Sequence, residues 1–293
     1  MRVAIVGHRS WLAPHLEHEL RSRGHEVEAV AKDDVPYEDM SRFWTVVLIA
    51  GRARPTSDDL IREESLVREL ALVGRQPRRV VYVSSSAVDR WERGSRPLSA
   101  AGEAYILAKK RCEIVVCGRP AGVAKAQGFA IRLPPTFGPG QDIGSDMLVP
   151  SVIRARLCHG ILELREPLLP FELVYVGDAA RAVVDLVEDD DPLPVRSVRS
   201  DLHQPLRLAA LMAPGVQTVL REGWSWHTVG RPEPGQRHLQ EVHFSLREGD
   251  LHSTVSWYEQ NISEALEASA ERRHAALELA ASFPLLPSGV IDI

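Results

Sequence analysis

Apolar runs and helical stretches alternate along roughly the first 190 residues of this chain. Short, β-branched apolar runs predict buried strands at 2–6, 26–31, 45–50, 79–83, 129–133 and 173–176. Apolar residues recurring every three or four positions predict helices at 11–23, 58–73, 102–116 and 178–187. Continuous apolar strands that alternate with helices are typical of a parallel, doubly wound sheet, so we predict a Rossmann-type α/β fold.

The rest of the chain is less regular. Residues 139–170 and 192–260 are rich in Pro, Gly and loops, and we predict that they form a smaller substrate lobe over the carboxyl edge of the sheet. The dinucleotide-binding domain is then 1–138 plus 171–191. Residues 261–293 are predicted to be a C-terminal helical extension.

Composition narrows the classes of partner. The net charge of −5 argues against a nucleic-acid surface. No apolar run approaches about 18 residues, so the sequence predicts no membrane span. Three cysteines without metal-ligand spacing favour a reduced, cytoplasmic protein with no metal centre and no disulfide framework.

Candidate chemistry lies at the end of the fourth predicted strand and on the helix that follows it. Tyr105 and Lys109 are four residues apart and therefore share one helix face. An ammonium beside a phenol favours the phenolate, which can then exchange a proton with a substrate. Ser84, Ser85 and Ser86 end the strand and offer a hydroxyl to a carbonyl or alcohol oxygen. This equipment suits hydride transfer at a carbon–oxygen bond if a nicotinamide lies beside it.

The loop between the first strand and the first helix has the residue sizes of a dinucleotide-binding turn. Gly7, Ser10 and Ala13 are all small, and the helix that follows presents free N–H groups to a phosphate. One glycine in place of three leaves a plain strand-to-helix turn as the alternative.

Five segments, in order, resemble the NAD-dependent epimerase/dehydratase family of extended short-chain dehydrogenase/reductases. They are the loop 7–13, the serine strand 81–88, the Tyr–Lys helix 105–109, the segment 132–140 and the strand–helix junction 174–180, and a terminal helix at 250–258 is also similar. The resemblance covers roughly residues 1–260.

The resemblance implies a role for each matching residue. Tyr105 would be the general acid/base, Lys109 would hold the nicotinamide ribose, and Ser85 would polarise the substrate oxygen. The implied cofactor contacts, besides Tyr105 and Lys109, are Gly7, Arg9, Ser10, Trp11, Leu12, Ala31, Lys32, Ala50, Gly51, Pro134 and Thr136. The implied substrate contacts are Ser86, Pro135, Arg154 and Arg165, with Arg156 as a further candidate.

Three departures from the family affect the expected cofactor, the expected substrate contacts and the number of strands. The residues expected at the end of the second strand are Ala31 and Lys32, where NAD-preferring relatives have a carboxylate, and this favours NADP over NAD. Asp33 and Asp34 are the counter-evidence, because a shift of one or two residues would restore a carboxylate there. Pro135 replaces a common Asn, and Phe171 stands where nucleotide-sugar enzymes often carry an Arg. Only about fourteen residues separate strands two and three, so a strand–helix unit is missing there.

The resemblance implies an NAD(P)-dependent enzyme that acts on a carbonyl or secondary alcohol of a sugar or nucleotide-sugar. Dehydration is disfavoured because Ser86 and Ala87, not acidic residues, follow Ser85, which leaves epimerisation or ketoreduction. The alternatives are a reductase of a non-sugar ketone and a non-catalytic NAD(P)-binding sensor or scaffold. The predicted partners are a small-molecule substrate and a second copy of the chain, with no nucleic acid and no membrane.

Overall fold

The computed structural model describes residues 1–35, 39–49, 55–72, 76–94, 99–118, 126–145, 147–158, 160–164, 170–220 and 239–282. The strands are β1 (Arg2–Val6), β2 (Glu26–Val30), β3 (Thr45–Leu48), β4 (Arg79–Ser85), β5 (Gln127–Leu133), β6 (Thr136–Phe137), β7 (Leu162–Leu164), β8 (Phe171–Glu172), β9 (Val174–Tyr175), β10 (Val195–Ser200), β11 (Leu202–His203), β12 (Thr218–Leu220) and β13 (Leu239–Phe244). The helices are α1 (Ala13–Ser22), α2 (Ser57–Leu72), α3 (Ala87–Glu92), α4 (Ala100–Cys117), α5 (Leu148–Leu157), α6 (Val176–Glu188), α7 (Pro205–Met212) and α8 (Glu248–Ser282).

Seven parallel strands form the central sheet in the order β13–β10–β5–β4–β3–β1–β2. Helices α1 and α6 pack together on one face, and α2 and α4 pack together on the other. The side chains of β1 show why the strands are apolar throughout. Val3 and Ile5 enter the core under α1 and α6, whereas Ala4 and Val6 enter the core under α2 and α4. The predicted α/β, doubly wound fold is confirmed.

The sheet departs from the predicted layout at both edges. Between β2 and β3 the described residues include a short 3-10 turn, Met40–Arg42, and no strand or α-helix, which agrees with the predicted loss of a strand–helix unit. At the other edge, β10 and β13 come from residues 192–260, which the sequence assigns to the substrate lobe. The assignment of these two strands to the substrate lobe is therefore wrong. The rest of the domain division stays a prediction.

A second core lies beyond the carboxyl edge of the sheet. It is built from α5, α7 and the first half of α8, with Phe137, Ile143 and Leu173 among its buried members. Helix α8 has non-helical backbone angles at Asn261, where two helical segments meet. Within the described part of the chain, every helix is too short or too polar to cross a bilayer.

Candidate active site at the carboxyl edge of the sheet

The strand order creates a crevice at the carboxyl ends of β1 and β3. The chain runs from β1 to β2 on one side, and β3 then lies on the other side of β1. Ligands bind in open α/β sheets at such a reversal of direction, outside the carboxyl ends of the strands. Gly7, which follows β1, stands at this point.

Gly7 meets two separate requirements for glycine. Its φ of +95° lies in the left-handed region, which a side chain disfavours. A Cβ at Gly7 would lie 2.1 Å from the carbonyl oxygen of Ile49, just beyond β3, and 3.3 Å from Cε of Lys32. The turn therefore brings three chain segments together around a position that has no room for a side chain.

The turn after Gly7 leads directly into α1. The Ser10 N–H donates to the Gly7 carbonyl at 2.9 Å, and the Ala13 N–H donates to the Ser10 carbonyl at 2.9 Å. Leu12, the N-cap residue of α1, is buried and has no polar side-chain atom to occupy the helix terminus, whereas Arg9 is exposed and Trp11 half-buried. Few N–H groups are free at the start of α1, because the Leu12 N–H donates to Oγ of Ser10 at 3.4 Å and Pro14 has none. A phosphate at this helix terminus therefore stays a prediction.

Residues after β2 complete the predicted cofactor side of the crevice. β2 ends at Val30, and half-buried Ala31 and Lys32 follow it, in the positions expected from the sequence. Asp33 and Asp34 are exposed. Ala50 and Gly51, two of the predicted cofactor contacts, lie outside the described residues.

The serine strand brings Ser85 beside the 134–136 segment. Ser85 is in register with Leu133 on β5, one residue before Pro134. Its half-buried Oγ accepts a 3.2 Å hydrogen bond from the Ala87 N–H. Ser86, the second predicted hydroxyl, is only 2% exposed, so the structure places Ser85, not Ser86, on the more open side of the strand end.

Tyr105 packs against a cluster that includes the start of α3, the helix that follows the serines directly. Its half-buried ring lies against the buried side chains of Ala87, Val88 and Ile106, as does that of Trp91. Lys109 follows one turn later on α4, and its Nζ lies 5.7 Å from the centroid of the Tyr105 ring. The predicted shared face of Tyr105 and Lys109 is present, and α4 packs against β4 below Ser85.

Lys109 has a buried partner that sequence reasoning did not find. Its Nζ lies 2.6 Å from Oε1 of Glu63 on α2, and each side chain is 3% exposed. The Tyr82 hydroxyl donates to the same Glu63 oxygen at 2.6 Å. Burial lowers the pKa of Lys109, but the charges of Tyr105 and Glu63 outweigh burial, so its pKa lies above the ordinary value.

A second buried charge network fixes the frame around the site. Arg132 on β5 donates to Glu113, Asp89 and Glu92 at 2.6–2.7 Å, and the Ser84 hydroxyl donates to Glu113 at 2.6 Å. Burial alone would lower the pKa of Arg132. The carboxylates raise this pKa by more than burial lowers it, so the guanidinium stays charged. The network therefore connects β4, which carries Ser85, and β5 with α3 and with α4, which carries Tyr105.

A small, mainly apolar cavity of about 30 Å³ lies beside two of the predicted contacts. It is lined by Pro135, Thr136, Gln141, Met147, Leu148, Val149, Pro150, Phe171 and Leu173. Pro134 is buried. Phe171, which stands where an arginine is common in the resembled family, therefore lines this cavity. Neither Tyr105 nor Ser85 is among the lining residues, so the position of the substrate stays a prediction.

The arginines predicted to bind substrate are engaged with the protein itself. Arg154 donates to the Ile143 carbonyl at 2.9 Å. Arg156 donates to the Met212 carbonyl at 2.6 Å and to Glu259 at 2.8 Å. Arg165 lies outside the described residues. Arg154 and Arg156 would have to give up these contacts to hold a phosphate.

No family model matches the sequence, and no curated protein matches it. Solved structures do match. TunA, an NAD-dependent NDP-hexosamine 5,6-dehydratase of tunicamycin biosynthesis, is 18% identical with a TM-score of 0.70, over 88% of this chain and 98% of TunA. UDP-glucose 4-epimerase of Thermotoga maritima, solved with UDP-glucose, is 14% identical with a TM-score of 0.68, over 89% and 100%. A GDP-L-fucose synthetase from Naegleria fowleri, bound to NADP, is 12% identical with a TM-score of 0.66, over 89% and 95%.

The chain has the fold of these enzymes. The likeness spans nearly the whole of each of them, so both the sheet and the second core are shared. It confirms the predicted resemblance at the level of the fold. The role of each site residue stays a prediction.

Proposed function

We propose that this chain is an NAD(P)-dependent enzyme that transfers hydride at a carbonyl or secondary alcohol, as a ketoreductase or an epimerase. One observation carries the proposal: Tyr105 and Lys109 share the face of α4 that packs beside the end of β4, where Ser85 stands. Tyr105 would exchange the proton, and Ser85 would hydrogen-bond the substrate oxygen. The resemblance implies that Lys109 holds the nicotinamide ribose, but its side chain is 3% exposed and its Nζ lies 2.6 Å from Glu63, so it would have to turn away from Glu63 to do so. The nicotinamide supplies or accepts the hydride when it is bound. Dehydration stays disfavoured because buried, non-acidic Ala87 follows Ser86.

Replacement of Tyr105 by Phe tests the proposal. Tyr105→Phe keeps the packed ring and removes the proton-bearing oxygen, so the rate should fall by about 10²–10⁴-fold while NAD(P)H affinity is retained. Tyr175→Phe is the matched control because its half-buried ring packs against Phe137 in the same way. Near-normal turnover in Tyr105→Phe would refute the catalytic role. Cofactor binding without turnover in the unaltered protein would support the sensor or scaffold alternative.

Lys32 favours NADP as the cofactor. A 2′-phosphate is attracted by a nearby cation and repelled by the carboxylate that NAD-preferring relatives carry after the second strand. Ala31 provides no such carboxylate, and Lys32 extends over Gly7 at the phosphate turn. Replacement of Lys32 by Met should weaken NADPH binding about tenfold and leave NADH binding unchanged. Fluorescence titration with both cofactors measures this without a substrate, and a tenfold preference of the unaltered protein for NADH would reverse the assignment.

A sugar or nucleotide-sugar is the proposed substrate class. The test is turnover on a panel of nucleotide-sugars, free sugars and simple ketones. If a diphosphate is bound, Arg154→Ala, Arg156→Ala or Arg165→Ala should raise KM far more than it lowers kcat, since the contact is remote from the reacting carbon. If all three variants behave normally and simple ketones turn over as well, the substrate is a less polar ketone. The apolar lining around Phe171 and Leu173 favours this second candidate.

A homodimer through α2 and α4 is the proposed assembly. Ile61 and Ile114 are 63% and 60% exposed on these two helices, which pack side by side. Ile114→Lys should therefore shift the sedimentation of the protein towards the monomer. Ile161→Lys, at a residue 58% exposed in the second core region, is the control and should leave it unchanged. The cytoplasmic location stays a prediction from the sequence.

A further inference from the structure

We propose that Glu63 is a positioning residue that keeps Lys109 protonated and directs its ammonium group towards Tyr105. The inference rests on the proposed role of Tyr105 in catalysis. Glu63 reaches the site from α2, and its Oε1 accepts hydrogen bonds from both Lys109 and Tyr82 at 2.6 Å. The carboxylate thereby fixes Nζ at a point 5.1 Å from the centroid of the Tyr82 ring and 5.7 Å from that of the Tyr105 ring.

The free energy needed to bury the Glu63–Lys109 ion pair is larger than its contribution to packing explains. Removing two charges from water is expensive, and apolar residues of similar volume often replace a buried ion pair without loss of stability. Lys109 is surrounded by buried apolar residues of α4 and by the ring of Tyr82. A buried lysine without an anion tends to lose its proton near neutral pH. Glu63 prevents this loss, and the retained charge acts on Tyr105.

The other titratable groups around Lys109 do not provide this anion. On β4, burial raises the pKa of Tyr82 well above its ordinary value, so Tyr82 stays neutral. On α4, burial raises the pKa of the Cys112 thiol to about 12. On α2, Glu64 pairs with Arg111 at 2.5 Å. On α3, Arg90 carries a second positive charge that interacts with Tyr105.

The test is the titration of Lys109 itself. The side-chain NMR signal of Lys109 is followed against pH, and the spectrum of the same protein with Lys109→Met identifies that signal among those of the four lysines. Glu63→Gln keeps the size of the side chain and removes its charge. The pKa of Lys109, which Glu63 holds above its ordinary value in the unaltered protein, should then fall by about one pH unit or more, because the buried ammonium group has lost its anion.

Glu113→Gln is the matched control. Glu113 is also a buried carboxylate that accepts from a β4 hydroxyl and from a cation, but its partners are Ser84 and Arg132. Both Gln variants should lose comparable stability in thermal melts, and only Glu63→Gln should lower the pKa of Lys109. Glu63→Asp keeps the charge at a greater distance and should give a smaller downward shift, so it decides the question if Glu63→Gln does not fold.

Three results would overturn the proposal: an unchanged pKa of Lys109 in the Glu63 variants, an upward shift, or a pKa of Lys109 in the unaltered protein no higher than that of free lysine. The titration needs no substrate or cofactor, so it is independent of the proposed function. Loss of turnover in Tyr105→Phe together with no effect of Glu63 would leave the enzyme assignment standing and remove the role of Glu63. A Glu63-dependent pKa of Lys109 in a protein that turns over no substrate would do the reverse.

Discussion

Replacement of Gly7 by Ala tests the phosphate turn most directly, because two independent penalties act there. A side chain at φ +95° costs about 1–2 kcal/mol. The new Cβ would also lie 2.1 Å from the Ile49 carbonyl oxygen. Relief of that overlap requires movement of the backbone beyond β3, at a further cost of about 1–3 kcal/mol. The free energy of unfolding should therefore fall by about 2–5 kcal/mol in total.

Two other glycines separate the penalties. Gly24 has a φ of +80° with nothing within 4 Å of a Cβ, so Gly24→Ala should lose only about 1 kcal/mol. At Gly128, whose φ is not in the left-handed region, a Cβ would lie 1.8 Å from the Val116 carbonyl oxygen, so Gly128→Ala reports the overlap alone. Urea unfolding of the three variants gives the stabilities.

Cofactor binding provides the functional part of the Gly7 experiment. NAD(P)H fluorescence is titrated under conditions in which each variant is folded. Gly7→Ala should lose binding, because the turn cannot keep its shape at the start of α1, whereas Gly24→Ala should bind normally. If Gly7→Ala is as stable as Gly24→Ala, the close approach to Ile49 is not a real constraint. If it is unstable but binds cofactor normally, the turn is not the pyrophosphate site.

Three further predictions concern stability. Arg132→Met should cost about 3–5 kcal/mol in urea unfolding, because Glu113 and Asp89 are left buried without their cation. Ser99→Ala should cost about 1 kcal/mol by the same measurement, because the Ser99 hydroxyl caps α4 through the Gly102 N–H. Burial lowers the pKa of His15, so the unfolded state binds its proton more readily; stability should fall from about pH 6.5 downwards and be flat above, and His15→Gln should reduce this loss on acidification.

The first half of the sheet was predictable mainly because its inner strands β1, β3 and β4 are buried on both faces. The edge strand β2 is more exposed. The apolar runs of this half leave little choice of element, and the predicted bounds agree with the structure to within about two residues. β10 was missed because three of its four buried side chains are polar, those of Arg196, Ser197 and Ser200. Ser197 donates to Asp89 at 2.5 Å, Arg196 donates to Gln240 at 2.9 Å, and Ser200 accepts from the Leu173 N–H at 2.9 Å. Each of these partners lies 27 residues or more away along the chain, so no local pattern reveals it.

In the candidate site too, local patterns were predictable and partners distant in sequence were not. Helical spacing alone places Tyr105 and Lys109 on one face, so the pair was predictable from the sequence. The partner Glu63 lies 46 residues from Lys109 on another helix. The sequence does not show which of two adjacent glutamates on α2 pairs with Lys109. Glu64, one residue further along, instead forms an ion pair with Arg111, whose side chain is 54% exposed.

A signal for Glu63 was nevertheless present in the pattern of α2. The buried stripe of that helix consists of Leu60, Leu66, Val67 and Leu70, and the helical period places residue 63 in the middle of it. Because an unpaired charge on such a stripe is too costly, a lone Glu there implies a cation on the element that packs against it. Lys109 is the lysine that the sheet-facing side of α4 carries. Charges that interrupt the apolar stripes of two packed helices can therefore be paired before a structure is known, and here the pair leads to the candidate acid/base.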